Sequence, residues 1–467
     1  MRTVFAAAAL ALCSTSAIAA PPADKWHAKA REIFQRSIEI PTVAGRGQMP
    51  ALAQYLADTF KAAGWAESDI HVLPHRGGPG DQTTSLIVRW PAAKPTKKPI
   101  LLLAHMDVVE AKAEDWSTDP FKFLEKDGYF YGRGTSDDKQ GVTAVTAALL
   151  KLRASGFKPK RDLVVLFTGD EETEGRGAQL GATEWRKWTD AEFALNADAG
   201  GGSFDRGGRA LGFGLQTAEK QYVSFHFTAR NPGGHSSRPR PDNAIYQLAD
   251  ALKRLEAHRF TPVLNETTRA YFTARAKMEA GTLGQAMRRW VADPADGTAA
   301  DAIEANELEV GMTRTRCVAT RLEGGHADNA LPQLARATVN CRMMPGSDPK
   351  ALEAELKQLA TPQVEVTVSD PPNPAPASPL RADVVKAYTD SVHKRFPGAP
   401  IVPSMSTGAT DGLFFRAAGI PVYGVEGSWG ISPDDERAHG KDERLPVKAL
   451  YDNVDHWHDM IAALAGK

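Results

Sequence analysis

The sequence predicts a two-domain α/β protein in which a smaller α+β domain interrupts a larger domain built on a mostly parallel sheet. Three observations support this prediction. From Lys25 to about Leu215, amphipathic helical runs alternate with short apolar strand runs, as in proteins with parallel sheets. From about Thr217, the runs follow the order β-α-β-β-α-β of a ferredoxin-like domain. The alternation resumes after PPNPAPASP, Pro371 to Pro379, whose composition is typical of a linker.

The composition is that of an ordinary globular protein. The chain has 467 residues, enough for two or three domains, with 42% hydrophobic and 24% charged residues. The formal net charge is -1, and no block of Lys or Arg is present. Composition and charge therefore give no support for binding to nucleic acid.

The N-terminus predicts a cleaved signal peptide over residues 1–19. Arg2 precedes the apolar run VFAAAALALC, and small residues follow as far as Ala17-Ile18-Ala19, an A-x-A cleavage site. The apolar run is too short to span a membrane. We therefore expect export to the periplasm or secretion, with no membrane span.

The larger domain is predicted in two parts, over residues 20–216 and 371–467. Its first part contains the helical runs KWHAKAREIFQRSIE, MPALAQYLADTFKAAG and QGVTAVTAALLKLRASG and the strand runs TTSLIVRW, KPILLLAHMDVV, DLVVLFTG and FALNADAG. Its second part contains the helical run RADVVKAYTDSVHKRF, the strand IPVYGV and a final helix from VKALYDNVDHW onwards.

The smaller domain is predicted over residues 217–370. Its strands are QYVSFHFTA, TRTRCVATRL, RATVNCRMM and QVEVTVSD, and its helices are NAIYQLADALKRLEA and DPKALEAELKQLA. A partly helical insertion is expected at about 260–310. Cys317 and Cys341 lie in neighbouring strand runs, so either a disulfide or two buried thiols fit the pattern.

Acidic residues and histidines follow several strands where parallel strands would share one edge. They are His105, Asp107, Asp137, Asp138, Glu171, Glu172 and Asp198, with His439 in a later polar loop. So many carboxylates require positive charge nearby, and Lys139 alone is insufficient. Two divalent ions would neutralise them, and mixed histidine and carboxylate ligands suit zinc or a neighbouring first-row metal rather than calcium.

These motifs resemble those of the MH-clan dizinc peptidases, which include carboxypeptidase G, aminoacylase, carnosine dipeptidase and bacterial desuccinylases. The matching motifs are HMD at 105–107, GRGTSDDK at 132–139, TGDEE at 168–172, NADAGG at 196–201, GGHSSRP at 233–239, STGATDG at 406–412 and AHG at 438–440. GRGTSDDK and GGHSSRP look most similar to the carboxypeptidase S branch. The resemblance implies a zinc-exopeptidase-like catalytic domain with an inserted lid domain.

The resemblance also implies roles for the site residues. His105 and Asp198 would bind one ion, Glu172 and His439 the other, and Asp137 both, with a cis peptide bond after Asp137. The ions would be Zn²⁺, with Co²⁺ or Mn²⁺ as alternatives.

Two further residues would serve the catalytic centre. Asp107 would hydrogen-bond the other ring nitrogen of His105. Glu171 would be the general base that accepts a proton from the attacking water and passes it to the leaving nitrogen.

Further residues of the lid and of one loop match substrate-binding positions of the family. His235 would donate a hydrogen bond to the oxyanion, often from the partner subunit of a dimer. Arg342 and Asn329 would bind the substrate carboxylate, with backbone donors near Gly412 as a further contribution. The insertion at 260–310 is longer than in compact dimeric relatives. The sequence therefore does not decide whether the chain forms a homodimer through the lid.

Three functions fit these observations. The first is an exported dinuclear-metal exopeptidase that cleaves short peptides with a free carboxylate. The second is an N-acyl-amino-acid amidohydrolase, which would use the same centre on the same type of bond. The third is a non-catalytic binding protein on the same scaffold, in which we would expect a metal ligand or the general base to be lost. In this sequence the five predicted ligands and Glu171 are all present.

Overall fold

A computed structural model describes residues 24–78, 81–369 and 374–466. The predicted signal peptide, residues 1–19, and the start of the predicted linker, residues 371–373, lie outside these described residues. Among the described residues, no helix is both long enough and apolar enough to cross a membrane.

The elements alternate along the chain as the sequence pattern predicts. The strands are β1 (Ile70–Arg76), β2 (Gln82–Trp90), β3 (Ile100–His105), β4 (Leu124–Lys126), β5 (Tyr129–Tyr131), β6 (Leu163–Thr168), β7 (Phe193–Phe204), β8 (Ala210–Glu219), β9 (Gln221–Arg230), β10 (Gly234–His235), β11 (Arg316–Gly324), β12 (Ala330–Leu331), β13 (Leu334–Met343), β14 (Val364–Val368), β15 (Ile401–Ser406), β16 (Val422–Ile431) and β17 (Arg444–Pro446). The helices are α1 (Lys25–Glu39), α2 (Met49–Ala62), α3 (Lys139–Ala154), α4 (Arg176–Ala182), α5 (Arg186–Thr189), α6 (Ala244–Ala257), α7 (Glu266–Met278), α8 (Gly281–Ala292), α9 (Gly297–Glu304), α10 (Pro349–Leu359), α11 (Ala382–Arg395), α12 (Gly412–Ala417) and α13 (Val447–Ala465).

The main sheet has eight strands in the order β1-β2-β6-β3-β7-β16-β8-β15. Its centre, β6-β3-β7-β16, is parallel, whereas β1-β2, β2-β6 and β16-β8 are antiparallel. The predicted α/β class with a mostly parallel sheet is therefore confirmed. The apolar strands β3 and β6 are buried along their whole length, because helices cover both faces of the sheet.

A second, four-stranded antiparallel sheet has the order β11-β13-β9-β14. The helices α6 and α10 pack on one face of it around a separate hydrophobic cluster that includes Phe225, Leu248 and Leu356. The chain order β9-α6-β11-β13-α10-β14 is the ferredoxin-like order that the sequence predicts. The strand β8 continues in the main sheet to Glu219, two residues beyond the predicted start of the inserted domain at 217.

The insertion at 260–310 contains the three helices α7, α8 and α9. Trp290 and Phe272 lie at the centre of their shared core, which also includes Ala218 at the end of β8 and Met405 of β15. The insertion therefore packs beside the edge strand of the main sheet. It leaves β11, the edge strand of the smaller sheet, exposed over most of its length among the described residues.

The two cysteines left after removal of the predicted signal peptide are bonded to each other. Cys317 and Cys341 face each other directly in the β11-β13 register, and their sulfur atoms form a disulfide. Of the two alternatives that the sequence allows, the structure has the disulfide. It joins the exposed edge strand to the centre of the smaller sheet.

Candidate dinuclear metal site

The five predicted metal ligands lie at one edge of the main sheet. His105 is the last residue of β3, and Asp198 lies in β7, the parallel neighbour of β3. Glu172 follows β6 on the other side of β3. Asp137 lies just before α3, and His439 lies between β16 and β17. Since parallel strands share the edge where their carboxyl ends meet, residues distant in sequence converge there.

The first group of ligands surrounds His105, whose side chain is buried. Its Nε2 atom lies 2.9 Å from Asp137 Oδ1 and 3.5 Å from Asp198 Oδ1. One ligand atom from each of these three residues lies within 4.8 Å of the others, so all three can bind one ion.

The second group shares Asp137 with the first. His439 Nε2 lies 2.9 Å from Glu172 Oε1 and 3.2 Å from Asp137 Oδ2. One carboxylate oxygen of Asp137 therefore faces each group, as a ligand that bridges two ions requires. The peptide bond between Asp137 and Asp138 is cis, as the resemblance implies.

The protonation of these groups indicates how strongly the site requires positive charge. Burial opposes ionisation of Asp137, but hydrogen bonds with His105 and His439 hold its pKa well below the usual range. Hydrogen bonds with Asp137 and Glu172 raise the pKa of His439 to about 10. Burial lowers the pKa of His105, yet the nearby carboxylates, led by Asp198, outweigh burial and hold that pKa well above its usual value. These shifts share one cause, which is that the clustered carboxylates favour positive charge beside them, and a donor set of imidazoles and carboxylates fits two divalent cations.

Asp107 contacts both His105 and the loop that follows β6. The main-chain oxygen of Asp107 lies 3.1 Å from His105 Nδ1, and its carboxylate Oδ1 lies 3.5 Å from the same atom. The carboxylate also accepts hydrogen bonds from the backbone N–H groups of Glu171 and Glu172, at 3.2 and 2.9 Å. Asp107 therefore fixes the position of two predicted functional residues in addition to the His105 ring.

Glu171 is partly buried beside the ligand cluster. Burial raises its pKa well above the usual value, the His105 imidazole opposes this shift, and the Asp198 and Asp411 carboxylates add to it. A carboxylate in such an environment accepts a proton readily, which is what a general base requires.

Glu443 is a site residue that the sequence reasoning missed. Its fully buried carboxylate pairs with Arg133 at 2.6 Å and accepts hydrogen bonds from the N–H groups of Gly134, Ser136 and Asp137, at 3.1, 2.7 and 3.1 Å. It therefore ties the loop that presents Asp137 to the segment that carries the second histidine. In the sequence, only its position shortly after the AHG motif at 438–440 connects Glu443 with the site.

Glu426 is a second residue that sequence reasoning missed. It lies in β16 and lines a cleft of about 440 Å³ that Asp137 and Asp198 also line. Burial raises the pKa of Glu426 to about 8, and the Asp198 and Asp137 carboxylates add to the effect of burial. In the sequence, Glu426 is an isolated acid within an apolar strand, and no motif marks it.

Arg342 lies at the end of the smaller sheet that is nearest the main sheet. It faces Tyr222 across β9 and β13, and its guanidinium carbon lies 4.9 Å from the centre of the Tyr222 ring. The strand β9 begins two residues after β8 ends at Glu219. This location agrees with a role at the substrate, which stays a prediction.

His235 and Asn329 lie together, but far from Arg342. His235 pairs with Ala330 in the short β10-β12 ladder, is exposed, and accepts hydrogen bonds at Nδ1 from Ser237. The strand β13 starts just after this ladder and reaches Arg342 eight residues later, a distance of about 27 Å. One chain therefore does not bring His235 and Asn329 to the same place as Arg342.

The backbone N–H of Gly412 already has an acceptor. Gly412 is buried, and its N–H donates to Thr410 Oγ1 at 3.1 Å. The N–H of Thr410 itself donates to the Glu219 carboxylate. The N–H groups of Thr410 and Gly412 are therefore already bonded within the protein, and the contribution of the loop Thr407 to Gly412 to substrate binding stays a prediction.

Comparison with known proteins places this arrangement in a family. The model of Peptidase family M20/M25/M40 matches residues 101–463. The chain belongs to this family. The predicted membership among dinuclear metallopeptidases and the prediction of an enzyme are both confirmed, because the M20 family consists of peptidases and related amidohydrolases.

Individual M20 relatives cover most of the chain. The human N-fatty-acyl-amino acid synthase/hydrolase PM20D1 is 30% identical over 380 residues, which are 79% of this chain and 74% of that protein. The probable carboxypeptidase S-like 2 of Dictyostelium discoideum is 27% identical and covers 81% and 74% of the two chains. The crystal structure of the M20 metallo-carboxypeptidase Sso-CP2 from Sulfolobus solfataricus superposes with a TM-score of 0.67 at 18% identity, covering 93% of this chain and 98% of that one.

Proposed function

We propose that this M20 protein is an exported amide hydrolase that cleaves short peptides with a free carboxylate. The observation that carries the proposal is the pair of ligand groups that share Asp137, with Glu171 beside them. Export rests on the sequence of residues 1–19, which has the three parts of a signal peptide.

Each ligand group would hold one divalent ion. His105 and Asp198 would bind the first ion, Glu172 and His439 would bind the second, and Asp137 would bind both. Zinc suits this mixture of imidazole and carboxylate donors, and Co²⁺ or Mn²⁺ fits the same donors. When bound, two such cations lower the pKa of water and polarise a carbonyl oxygen.

Glu171 moves the proton in this mechanism. Its carboxylate accepts a proton from the water as the water oxygen bonds to the carbonyl carbon of the substrate. It then gives this proton to the amide nitrogen as the carbon–nitrogen bond breaks, leaving a carboxylate and an amine. Asp107 keeps Glu171 in place through the Glu171 backbone N–H.

A second candidate function is hydrolysis of N-acyl amino acids. The name of the human relative, an N-fatty-acyl-amino acid synthase/hydrolase, favours it, whereas the name of the carboxypeptidase S-like relative favours peptides. The two activities break the same type of bond and differ only in what lies on the acyl side of that bond.

A homodimer through the smaller domain is also part of the proposal. The exposed edge strand β11 carries Val318 and Leu322, which are 60% and 70% exposed, and α6 carries the exposed Tyr246 nearby. An edge strand with exposed apolar side chains favours pairing with a second copy.

The test measures metal content and turnover together. The purified protein, lacking residues 1–19, is assayed on a panel of dipeptides and N-acetyl amino acids, and its zinc content is determined. We expect two ions per chain and hydrolysis of substrates with a free carboxylate. The Glu171→Gln variant should keep both ions and lose at least roughly 1,000-fold in kcat. Inactivity of the wild type on both substrate classes, or full activity of the variant, would contradict the proposal.

A further inference from the structure

The cleft beside the predicted metal ligands is lined by Glu426, whose carboxylate the proposed mechanism does not use. Glu426 of β16 lies opposite Gly200 of β7. Gly200 follows the predicted metal ligand Asp198 by two residues along β7. Two residues of a strand span about 7 Å, so Glu426 lies on the neighbouring strand close to Asp198. Asp137, Asp198 and Glu426 line this same cleft of about 440 Å³.

The hydrogen bonds of Glu426 leave one of its oxygens free. Oε1 accepts from Gln140 Nε2 at 2.5 Å and from the Ser428 hydroxyl, both neutral donors. Within residues 24–78, 81–369 and 374–466, Oε2 has no hydrogen-bond partner, and no Lys or Arg pairs with Glu426. The adjacent Gly201 keeps the approach open, since a Cβ atom there would lie 3.3 Å from Oε2.

The positive side chains of the cleft are already engaged elsewhere. Arg444 Nε donates to the Asp435 carboxylate at 2.7 Å. Arg437 donates to the main-chain oxygens of Asp434 and Asp442, at 2.8 and 3.2 Å. Glu426 is thus a partly buried carboxyl group beside Asp137 and Asp198 without a cation of its own, and a ligand that brings a cation would stabilise its ionised form.

We infer that Glu426 binds the α-ammonium group of a peptide substrate and makes the enzyme selective for free-amine peptides over N-acyl amino acids. The inference rests on the proposed amide hydrolysis. In a dipeptide, the ammonium group is bonded to the carbon next to the scissile carbonyl, so the substrate needs little length to reach Glu426. An N-acyl amino acid places a neutral group there, leaves the carboxylate without a cation, and is disfavoured for that reason.

The test uses two substrates that differ only in that amino group. Alanyl-phenylalanine and propionyl-phenylalanine have the same scissile bond, the same leaving group and nearly the same shape. We expect the wild type to prefer alanyl-phenylalanine by roughly 10- to 100-fold in kcat/KM, the usual range for a charge-assisted hydrogen bond. Glu426→Gln keeps an acceptor for Gln140 and Ser428, so it should remove most of this preference, chiefly by lowering kcat/KM for alanyl-phenylalanine.

A charge-matched control separates this role from the general charge of the cleft. Glu436 is an exposed acid at the rim of the cleft, where it accepts a hydrogen bond from Ser432. Glu436→Gln should keep the wild-type preference, and both variants should keep the wild-type metal content. An equal rate on the two substrates in the wild type, or an equal loss on both in Glu426→Gln, overturns the inference and leaves the proposed hydrolysis intact. Inactivity of the wild type on both substrates overturns the proposed function and this inference with it.

Discussion

Glu171 and Glu172 are neighbours in sequence, yet the structure gives their side chains different surroundings. Asp107 binds both backbone N–H groups, which fixes the chain between them. The Glu172 carboxylate contacts His439, whereas Glu171 lies among acidic groups that favour its protonated form. Two adjacent acids are tolerated here because Glu172 would bind a cation, whereas Glu171 would bind and release a proton.

Glu443 provides a residue-scale test of how the bridging ligand is held. Its carboxylate neutralises Arg133, which is 2% exposed, and receives the N–H of Asp137. Glu443→Gln leaves the Arg133 charge buried without a partner, so the free energy of unfolding should fall by about 3 kcal/mol. Because the Asp137 loop is then held less firmly, zinc affinity should fall roughly 10- to 100-fold. Urea unfolding of the metal-free protein and competition with a chelator measure the two effects.

The neighbouring acid Asp442 is the control for this experiment. It is less buried and binds Ser117, outside the metal cluster. Asp442→Asn should leave zinc affinity at the wild-type value. If Glu443→Gln loses stability but keeps full zinc affinity, Glu443 supports the fold and does not position Asp137.

At this scale the sequence could predict the ligands and could not predict their supports. His105, Asp137 and Asp198 belong to motifs with a defined order along the chain, and the strand pattern places them at one edge. Glu443 and Glu426 act through contacts with residues that are about 290 to 310 positions away in sequence. Such contacts depend on how β16 and β17 pack against the loop before α3, which no local pattern encodes.

At the scale of elements, the helix α13 holds β16 in place. Asn453 of α13 accepts the N–H of Gly427 at 2.8 Å and donates to Gln140 at 2.6 Å. The His456 ring lies against Gly427, where a Cβ atom would be 2.3 Å from the ring. The strand that carries Glu426 therefore depends on buried polar contacts with the last helix.

His456 makes the stability of this contact depend on pH. Its Nε2 donates to the main-chain oxygen of Val425 at 2.9 Å, its Nδ1 lies 3.0 Å from Ser391 Oγ, and burial lowers its pKa to about 3. Below about pH 6.5 the unfolded chain binds a proton at this residue and the folded chain does not, so acid favours unfolding. Between pH 6.5 and 3 the free energy of unfolding should fall by roughly 4–5 kcal/mol from this group alone.

The measurement compares the pH dependence of urea unfolding in the wild type and in His456→Gln. The glutamine amide can still donate to Val425 but binds no proton, so the variant should lose less stability as the pH falls. His458→Gln, on the same helix at a partly exposed position, is the matched control. Parallel losses in the wild type and in His456→Gln would show that other groups carry the acid sensitivity.

Several elements could be read from the sequence and others could not. The run KWHAKAREIFQRSIE is α1 residue for residue, because its apolar side chains repeat at helical spacing. The pattern missed β1 and β15, which lie at the edges of the main sheet and are only partly buried. It also could not show that β8 runs antiparallel to β16, because strand direction is set by pairing partners far along the chain.

At the scale of the whole molecule, one chain separates residues that the family resemblance assigns to a single substrate site. His235 and Asn329 lie at the far end of the smaller sheet from Arg342. The insertion packs against the edge of the main sheet and leaves β11 exposed, so it does not block pairing of two copies through β11. If two copies pair through β11 as proposed and His235 serves the metal site of the partner subunit, each site is a product of two subunits.

Mixing two inactive variants tests this arrangement. Glu171→Gln removes the proposed base and His235→Ala removes the proposed oxyanion donor, so each homodimer should lose most of its activity. If His235 acts across the dimer, a mixed dimer contains one intact site, formed by Glu171 of one chain and His235 of the other. Co-expression in equal amounts should then restore roughly a quarter of the wild-type turnover, since half of the dimers are mixed and each has one working site. Recovery is measured as kcat per chain, and the mixed dimer isolated with two different affinity tags should reach roughly half of the wild-type value. Full inactivity of the mixed dimer would place His235 in its own subunit's site, and a monomeric wild type would remove the basis for the shared site.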